Sequence, residues 1–162
     1  MIRRFLDLAR DNAGVAVIEL ALVAPILAAM IVGVADISIA YGKKLELEQA
    51  AQRAIEKVGQ TTGEETPADT IKKEAVCQYN GTNASGVCLT TPITAANVTV
   101  TYSKKCNGTV TPYDQDCPPG QITVGYISTT VSEKYTPIFP IHFGTKSDGK
   151  YHLSGTAGVR VE

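Results

Sequence analysis

Histidine is scarce in this chain of 162 residues, which contains only His142 and His152. The sequence has no H-E-x-x-H zinc motif, no G-x-S-x-G nucleophile motif and no phosphate-binding glycine loop. Each of these chemistries needs particular side chains at a defined spacing. We therefore expect a protein that is not an enzyme, that has no cofactor and that holds no metal.

An excess of positive charge is also missing. Lysine and arginine total 15 and aspartate and glutamate total 16, which leaves a formal net charge of -1. Because nucleic-acid binding depends on clustered cations that neutralise phosphates, we expect no nucleic-acid partner. The mean hydropathy of +0.01 averages two unlike parts. The first forty or so residues are mostly aliphatic, and the rest is polar, which indicates a membrane-directed N-terminus and an exported, mostly β body.

Four cysteines follow the apolar part, all in stretches rich in Gly, Asn and Pro. An even number of cysteines in such loops favours two disulfides in an oxidising compartment. The simplest pairing is local, although four cysteines allow three connectivities. A zinc site is disfavoured because it needs short C-x-x-C spacings or histidine partners. The local pairing joins Cys77 to Cys88 and Cys106 to Cys117.

A long apolar run occupies residues 15–40, where Glu19 and Asp36 are the only charged residues. At about 1.5 Å per helical residue, this run can cross a bilayer core of roughly 30 Å. The basic residues on its two sides only weakly favour an inward N-terminus. These flanking residues are Arg3, Arg4 and Arg10 before the run and Lys43 and Lys44 after it.

Three explanations of the run compete. A cleaved secretory signal has an apolar region of roughly 7–15 residues, so this run is too long for one. A simple anchor tolerates Glu19 near the interface. In the third explanation a peptidase cuts after Gly14, so that Val15 becomes the N-terminus and Glu19 the fifth residue. The carboxylate can then face the α-ammonium of a neighbouring chain, a partner that a lone anchor does not have.

The stretch "GVAVIELALVAPILAAMIVGVADISIAYGKKLELEQAAQRA" resembles the TadE-like minor pilins, or pseudopilins, of the tight-adherence (Tad/Flp) type IV pilus. Members typically show G-x-x-x-[VI]-E-[FL]-A-L-x-x-P, an aliphatic run, an acid near its far end and a polar helix rich in Ala and Arg. The closing segments "YTPIFPIHFG" and "LSGTAGVRVE" are similar to the family's, whereas the cysteine-bearing middle is not typical of it. The matching residues are Gly14, Ile18, Glu19, Leu20, Ala21, Leu22, Pro25, Asp36, Ala50, Ala51, Arg53 and Ala54.

The resemblance implies a subunit that serves assembly of a Tad-type pilus used for surface attachment. Its partners would be other pilin subunits, the Tad assembly platform, a prepilin peptidase and membrane lipid. It implies a single-pass protein of the bacterial inner membrane, with the C-terminal domain in the periplasm or outside the cell, or in the surface pilus. Gly14 and Val15 would form the processing site and Glu19 the assembly residue. Leu20 stands where the major Flp pilin has tyrosine, which favours the minor class. The alternative is an unprocessed, membrane-tethered envelope domain that binds a ligand.

The predicted fold class is α+β and pilin-like, with a leader at 1–14, a transmembrane helix half at 15–41 and an amphipathic helix half at 42–60. An extracytoplasmic α+β domain with two disulfides follows at 61–162. Pro25 should kink the helix, because proline removes a backbone hydrogen bond. Asp36 should be solvated at the far interface or paired with another chain. One apolar stripe predicts the packing face of the second half: Leu47, Ala50, Ala51, Ala54, Ile55 and Val58.

A second helix is predicted from Pro67 to about Cys77, because proline is favoured in a first helical turn. Alternating apolar residues predict strands over 97–103, 121–133 and 151–161. Within the second of these, the apolar phase changes between Tyr126 and Ile127, which predicts a bulge or bend. The segment 104–120 is expected to be a turn-rich loop. The whole predicts three or four antiparallel strands packed on the second half of the long helix.

Two further motifs carry weak signals. Asp114 and Asp116 could contribute to a calcium site, but such sites need six or more oxygen ligands, so a solvated loop is favoured. Four N-x-[ST] triplets could accept sugars only in a host with that machinery. Their asparagines are Asn80, Asn83, Asn97 and Asn107.

Overall fold

A computed structural model describes residues 13–60, 67–139 and 144–161 of the chain. Most of the predicted leader, the loop at 61–66 and His142 lie outside these residues. The first element is a single helix of 48 residues, α1 (Ala13–Gln60), which is about 72 Å long at 1.5 Å per residue. It continues through Pro25, although proline has no N–H to donate to the Ala21 carbonyl. The long predicted helix is confirmed, and a kink at Pro25 stays a prediction.

The second helix, α2 (Ala68–Asn80), begins directly after Pro67 and carries Asp69 in its first turn. It runs three residues beyond the predicted end at Cys77 and terminates where the Gly81 N–H donates to the Cys77 carbonyl. Ile71 and Ala75 are fully buried against α1. The helix therefore packs through the short apolar face that the sequence predicts.

Four antiparallel strands form one sheet in the order β2-β1-β3-β4. They are β1 (Val98–Cys106), β2 (Thr109–Thr111), β3 (Thr123–Tyr135) and β4 (Tyr151–Arg160). A short 3-10 turn, Ala95–Asn97, leads into β1. The predicted α+β architecture, a long helix with a sheet of three or four antiparallel strands, is confirmed in the described part of the chain, and the sheet has four strands.

The strand β2 corrects the prediction of a continuous loop over 104–120. Cys106 pairs with Thr109 across a two-residue turn. Asn107 and Gly108 in that turn both have positive φ angles, of 48° and 86°. An Asn-Gly pair tolerates these angles and matches the twist of the flanking strands, which makes it a strong hairpin signal. The sequence contains the turn signal, but alternation does not reveal a strand of only three residues.

The predicted bulge in β3 is wrong. Pairing with β1 runs without interruption from Cys106↔Thr123 to Val98↔Val131, and the pairing with β4 is equally regular. Ile127 and Val131 face the core, whereas Tyr126 lies on the opposite, exposed face. The phase change therefore marks apolar residues on both faces of one regular strand.

The core lies between the sheet and the second half of α1, whose predicted stripe is buried in full. Small side chains bring the layers close together, most of all at Gly155 in β4. A Cβ atom placed there would lie 2.3 Å from the Glu48 nitrogen and 2.4 Å from the Leu47 carbonyl carbon. The remaining members of the core are Ile71, Ala75, Ile93, Val98, Ile127 and Val131.

Two disulfides fix the polar loops, one between Cys77 and Cys88 and one between Cys106 and Cys117. The first joins the end of α2 to the loop that follows it. In that loop the backbones of Thr82 and Cys88 also form an isolated antiparallel β-bridge. The second closes the loop beyond the β1–β2 hairpin. This is the local pairing that the sequence favours.

Peptide mapping of the exported protein without reductant should recover the same two linked peptide pairs. We expect this result because each bridge joins cysteines only 11 residues apart in a compact loop. Mapping after reduction and alkylation provides the control. Free thiols in the exported protein, or linkage of Cys77 or Cys88 to either of the other two cysteines, would contradict the assignment.

Candidate functional site

The first half of α1 projects from the folded domain. Every residue from 14 to 31 is exposed, including Val17, Leu22 and Ile31. An 18-residue window in this helix has a mean hydropathy of 2.6 and no buried residue, so α1 is long and apolar enough to cross a membrane. Soluble monomers rarely leave so large an apolar surface uncovered. This half of the helix is therefore a surface for lipid or for another protein chain.

The predicted processing and assembly residues lie together at the start of this surface. Gly14 and Val15 are in the first turn of α1, and Glu19 follows Val15 by about 6 Å along the helix. Glu19 is exposed, and no described residue provides it with a hydrogen bond or an ion pair. A Cβ atom at Gly14 would meet nothing within 4 Å. Packing among the described residues therefore explains neither the carboxylate nor the glycine.

Asp36 contradicts the sequence-based expectation. Its carboxylate is 2% exposed and accepts the backbone N–H groups of Ile138, at 2.9 Å, and Phe139, at 3.1 Å. It is therefore neither solvated nor dependent on a second chain. The chain leaves the sheet after Tyr135 and has no ladder partners for the N–H groups that follow, so an acceptor must come from elsewhere.

A polar cluster lies one to two helical turns further along α1. The Lys43 ammonium is 3.7 Å from the Glu133 carboxylate and 5.8 Å from the ring centroids of Tyr79 and Tyr135. The Tyr79 hydroxyl donates to the same Glu133 carboxylate. The cluster thus joins α1, α2 and β3 at the end of the sheet nearest the apolar half of the helix.

Burial is the main cause that raises the pKa of both tyrosines in this cluster. For Tyr79 the hydrogen bond to Glu133 raises the pKa further, and for Tyr135 the nearby charge of Asp36 does so. The negative charge of Asp36 acts on the Tyr135 hydroxyl, although these two groups do not have the geometry of a regular hydrogen bond. Both phenols stay protonated at physiological pH, so the ion pair of Lys43 and Glu133 carries the charge of the cluster.

Sequence reasoning missed Glu133 and Tyr79 as members of this cluster. One signal was available, because Glu133 shares the parity of Ile127 and Val131, the core-facing residues of β3. A carboxylate at a core-facing position needs a partner. Which cation supplies it depends on the packing of α1 against the sheet, which alternation alone does not give.

The weaker motifs serve the local structure. Asn80 donates to the carbonyls of Leu89 and Ile93 and accepts the Ile93 N–H. The side-chain oxygens of Asn83, Asn97 and Asn107 also accept backbone N–H groups in turns. In the described part of the chain, no group of three or more His, Cys, Asp or Glu residues is placed to hold a metal.

Comparison with known protein families gives a match to the TadE-like protein family over residues 14–55. Residues 14–55 of the long helix are similar to this family. The match begins at Gly14 and includes Glu19, Pro25 and Asp36, which confirms the predicted resemblance, and it ends before α2 and the sheet. The family indicates a membrane-associated pseudopilin of a Tad pilus that interacts with other pilus components. No curated protein and no solved structure matches the chain.

Proposed function

We propose that the TadE-like chain is a processed minor pilin, or pseudopilin, that serves assembly of a Tad-type pilus used for surface attachment. A prepilin peptidase removes residues 1–14, and residues 15–41 cross the bacterial inner membrane. The disulfide-bonded domain lies in the periplasm or outside the cell. The chain acts as a subunit and catalyses no reaction.

The observation that carries the proposal is the state of Glu19, an exposed carboxylate without a described partner on an otherwise apolar helix surface. Moving a carboxylate into the centre of a membrane helix costs about 3 kcal/mol, which is an upper limit for Glu19 because it lies only about 6 Å beyond Val15. The Coulomb attraction of an opposite charge about 4 Å away is roughly 4 kcal/mol at an effective dielectric constant of 20. The two terms are of similar size, so Glu19 is tolerated in an apolar setting when a cation is supplied to it.

Processing would create that cation. Cleavage after Gly14 leaves a free α-ammonium on Val15, about 6 Å from Glu19 along the same helix. In a stack of similar helices displaced along their axes, the ammonium of one chain can approach the carboxylate of the next. The pairing therefore requires both the cleavage and a second subunit.

Gly14 supports the same proposal. Since a side chain at this position would meet nothing within 4 Å, the folded domain does not require glycine there. Recognition by a peptidase would explain the glycine, whereas packing does not.

N-terminal sequencing of the protein from cells that contain the cognate peptidase tests the processing step. The mature chain should begin at Val15. Gly14→Val should block the cut while leaving both disulfides intact, because the side chain has room in the folded structure. Recovery of wild-type protein that still begins at Met1 would instead favour the unprocessed membrane tether.

A further inference from the structure

The segment after β3, residues 136–139, is held against α1 at the level of Asp36. Two backbone N–H groups of this segment, on Ile138 and Phe139, donate to the Asp36 carboxylate. The Ile138 side chain itself stays 64% exposed, although it is one of the larger apolar side chains of the domain. The exposed Ile138 is thus fixed next to the helical turn that contains Asp36.

The length of α1 from Val15 to that turn matches the thickness of a bilayer core. Asp36 follows Val15 by 21 residues, or about 31 Å of helix. The hydrocarbon core of a bilayer is about 30 Å thick. If Val15 lies at one boundary, Asp36 lies at the other, and the two hydrogen bonds place Ile138 at the same height.

The chemistry of the segment suits a poorly hydrated interface. Backbone N–H groups there need a partner within the protein, and the buried Asp36 accepts two of them. Pro137 has no N–H to satisfy. Aromatic side chains, which favour the headgroup level of membranes, lie at the same end of the domain. Tyr41 is 61% exposed on α1, and the rings of Tyr135 and Tyr151 stack with their centroids 6.2 Å apart.

Carboxylates at this end do not oppose contact with lipid headgroups. Asp36 is occupied by two N–H groups, and Glu133 pairs with Lys43. Asp148 accepts from His152 at 2.7 Å and lies 3.6 Å from Lys134. Each of these acids is therefore partnered inside the protein.

We propose that residues 136–139 form a second membrane contact, in which Ile138 and Phe139 enter the headgroup region beside α1. Asp36 is the anchor of this contact, and the result is a fixed orientation of the sheet domain on the bilayer. A single helix could tilt and rotate in the bilayer together with the domain packed on it, whereas a second contact beside the helix restricts both motions. The inference rests on the proposed insertion of residues 15–41, and its test separates the two.

The absence of tryptophan from the sequence provides a clean probe, because Ile138→Trp would introduce the only indole. The full chain is reconstituted in phosphatidylcholine vesicles with plain or brominated acyl chains. Apolar groups at an interface lie roughly 5–10 Å into the headgroup and acyl boundary. The Ile138→Trp emission should therefore fall by about half in the brominated vesicles, as this depth brings the indole near the bromines.

Two matched variants give the lower and upper limits of the quenching. Val110→Trp replaces a residue that is 70% exposed at the opposite end of the sheet, and its emission should not change. Ile31→Trp replaces a residue that is 70% exposed within the apolar half of α1, and it should be quenched strongly. Quenching of Ile31→Trp without quenching of Ile138→Trp would overturn the second contact and leave the insertion intact. Absence of quenching in both would remove the insertion on which the proposal rests.

Asp36→Asn in the Ile138→Trp background tests the anchor. The amide keeps one acceptor oxygen but replaces the other with a donor, so one of the two N–H groups loses its partner. We expect the quenching at position 138 to decrease while that of Ile31→Trp, measured with the same Asp36→Asn change, is retained. Unchanged quenching at position 138 would exclude Asp36 as the anchor.

Discussion

Gly155→Ala is expected to destabilise the sheet domain by about 3 kcal/mol, at the upper end of the range for overpacked cores. The added Cβ would lie 2.3–2.6 Å from backbone atoms of Leu47 and Glu48. Backbone atoms of a helix cannot rotate away as a side chain can, so α1 and β4 must separate. The measurement is denaturant unfolding of the full chain in detergent micelles, followed by the near-ultraviolet circular dichroism of the tyrosines packed in the sheet domain, such as Tyr135 and Tyr151.

Gly158→Ala is the matched control for this experiment. It lies in the same strand on the opposite, exposed face, and its added Cβ would come no closer than 3.3 Å, to the Ile127 carbonyl oxygen. The expected loss is below about 1 kcal/mol, the usual size for a surface substitution with a modest steric conflict. Equal losses in the two variants would show that the close approach of α1 does not cause the effect.

The contact at Gly155 also shows where sequence reasoning succeeds and where it stops. Alternation correctly predicts β4 and places Gly155 on its inner face, and the helical stripe predicts Ala50 and Ala51 as core residues. Both patterns follow from the periods of strand and helix, which are local properties. The requirement for glycine arises only when the two surfaces meet, because it depends on the distance between backbones.

Asp36 marks a second limit. Its position near the end of an apolar run predicts an interfacial residue, but its hydrogen-bond partners are 102 and 103 residues away in sequence. No periodicity links two such distant segments. For the same reason the sequence predicts Glu133 in a strand but does not indicate Lys43 as its partner. By contrast, Gly14, Val15, Glu19 and Pro25 form one short linear pattern, which was visible without any tertiary information.

Glu19→Gln should leave a protein that is inserted in the membrane, cut after Gly14 and bonded by both disulfides, but that fails in pilus assembly. Loss of the charge removes an attraction of roughly 4 kcal/mol, whereas the amide is cheaper to bury by an amount of similar order. If the net loss of attraction between subunits is only about 1.4 kcal/mol, the association constant of the subunits falls tenfold. Pilus abundance on cells measures the effect, and Glu46→Gln, in the polar half of the same helix, is the control.

Glu19→Leu separates the pilin from a lone anchor because the two proposals predict the same change in membrane insertion but a different effect on function. Leucine in place of glutamate makes the helix more apolar, so an isolated anchor would insert more strongly and its domain would work as before. A subunit that relies on Glu19 to meet a neighbour's α-ammonium would also insert more strongly, yet it would lose assembly. Full piliation by the leucine variant, with membrane insertion confirmed in the same cells, would therefore rule out the charge pair as the basis of assembly.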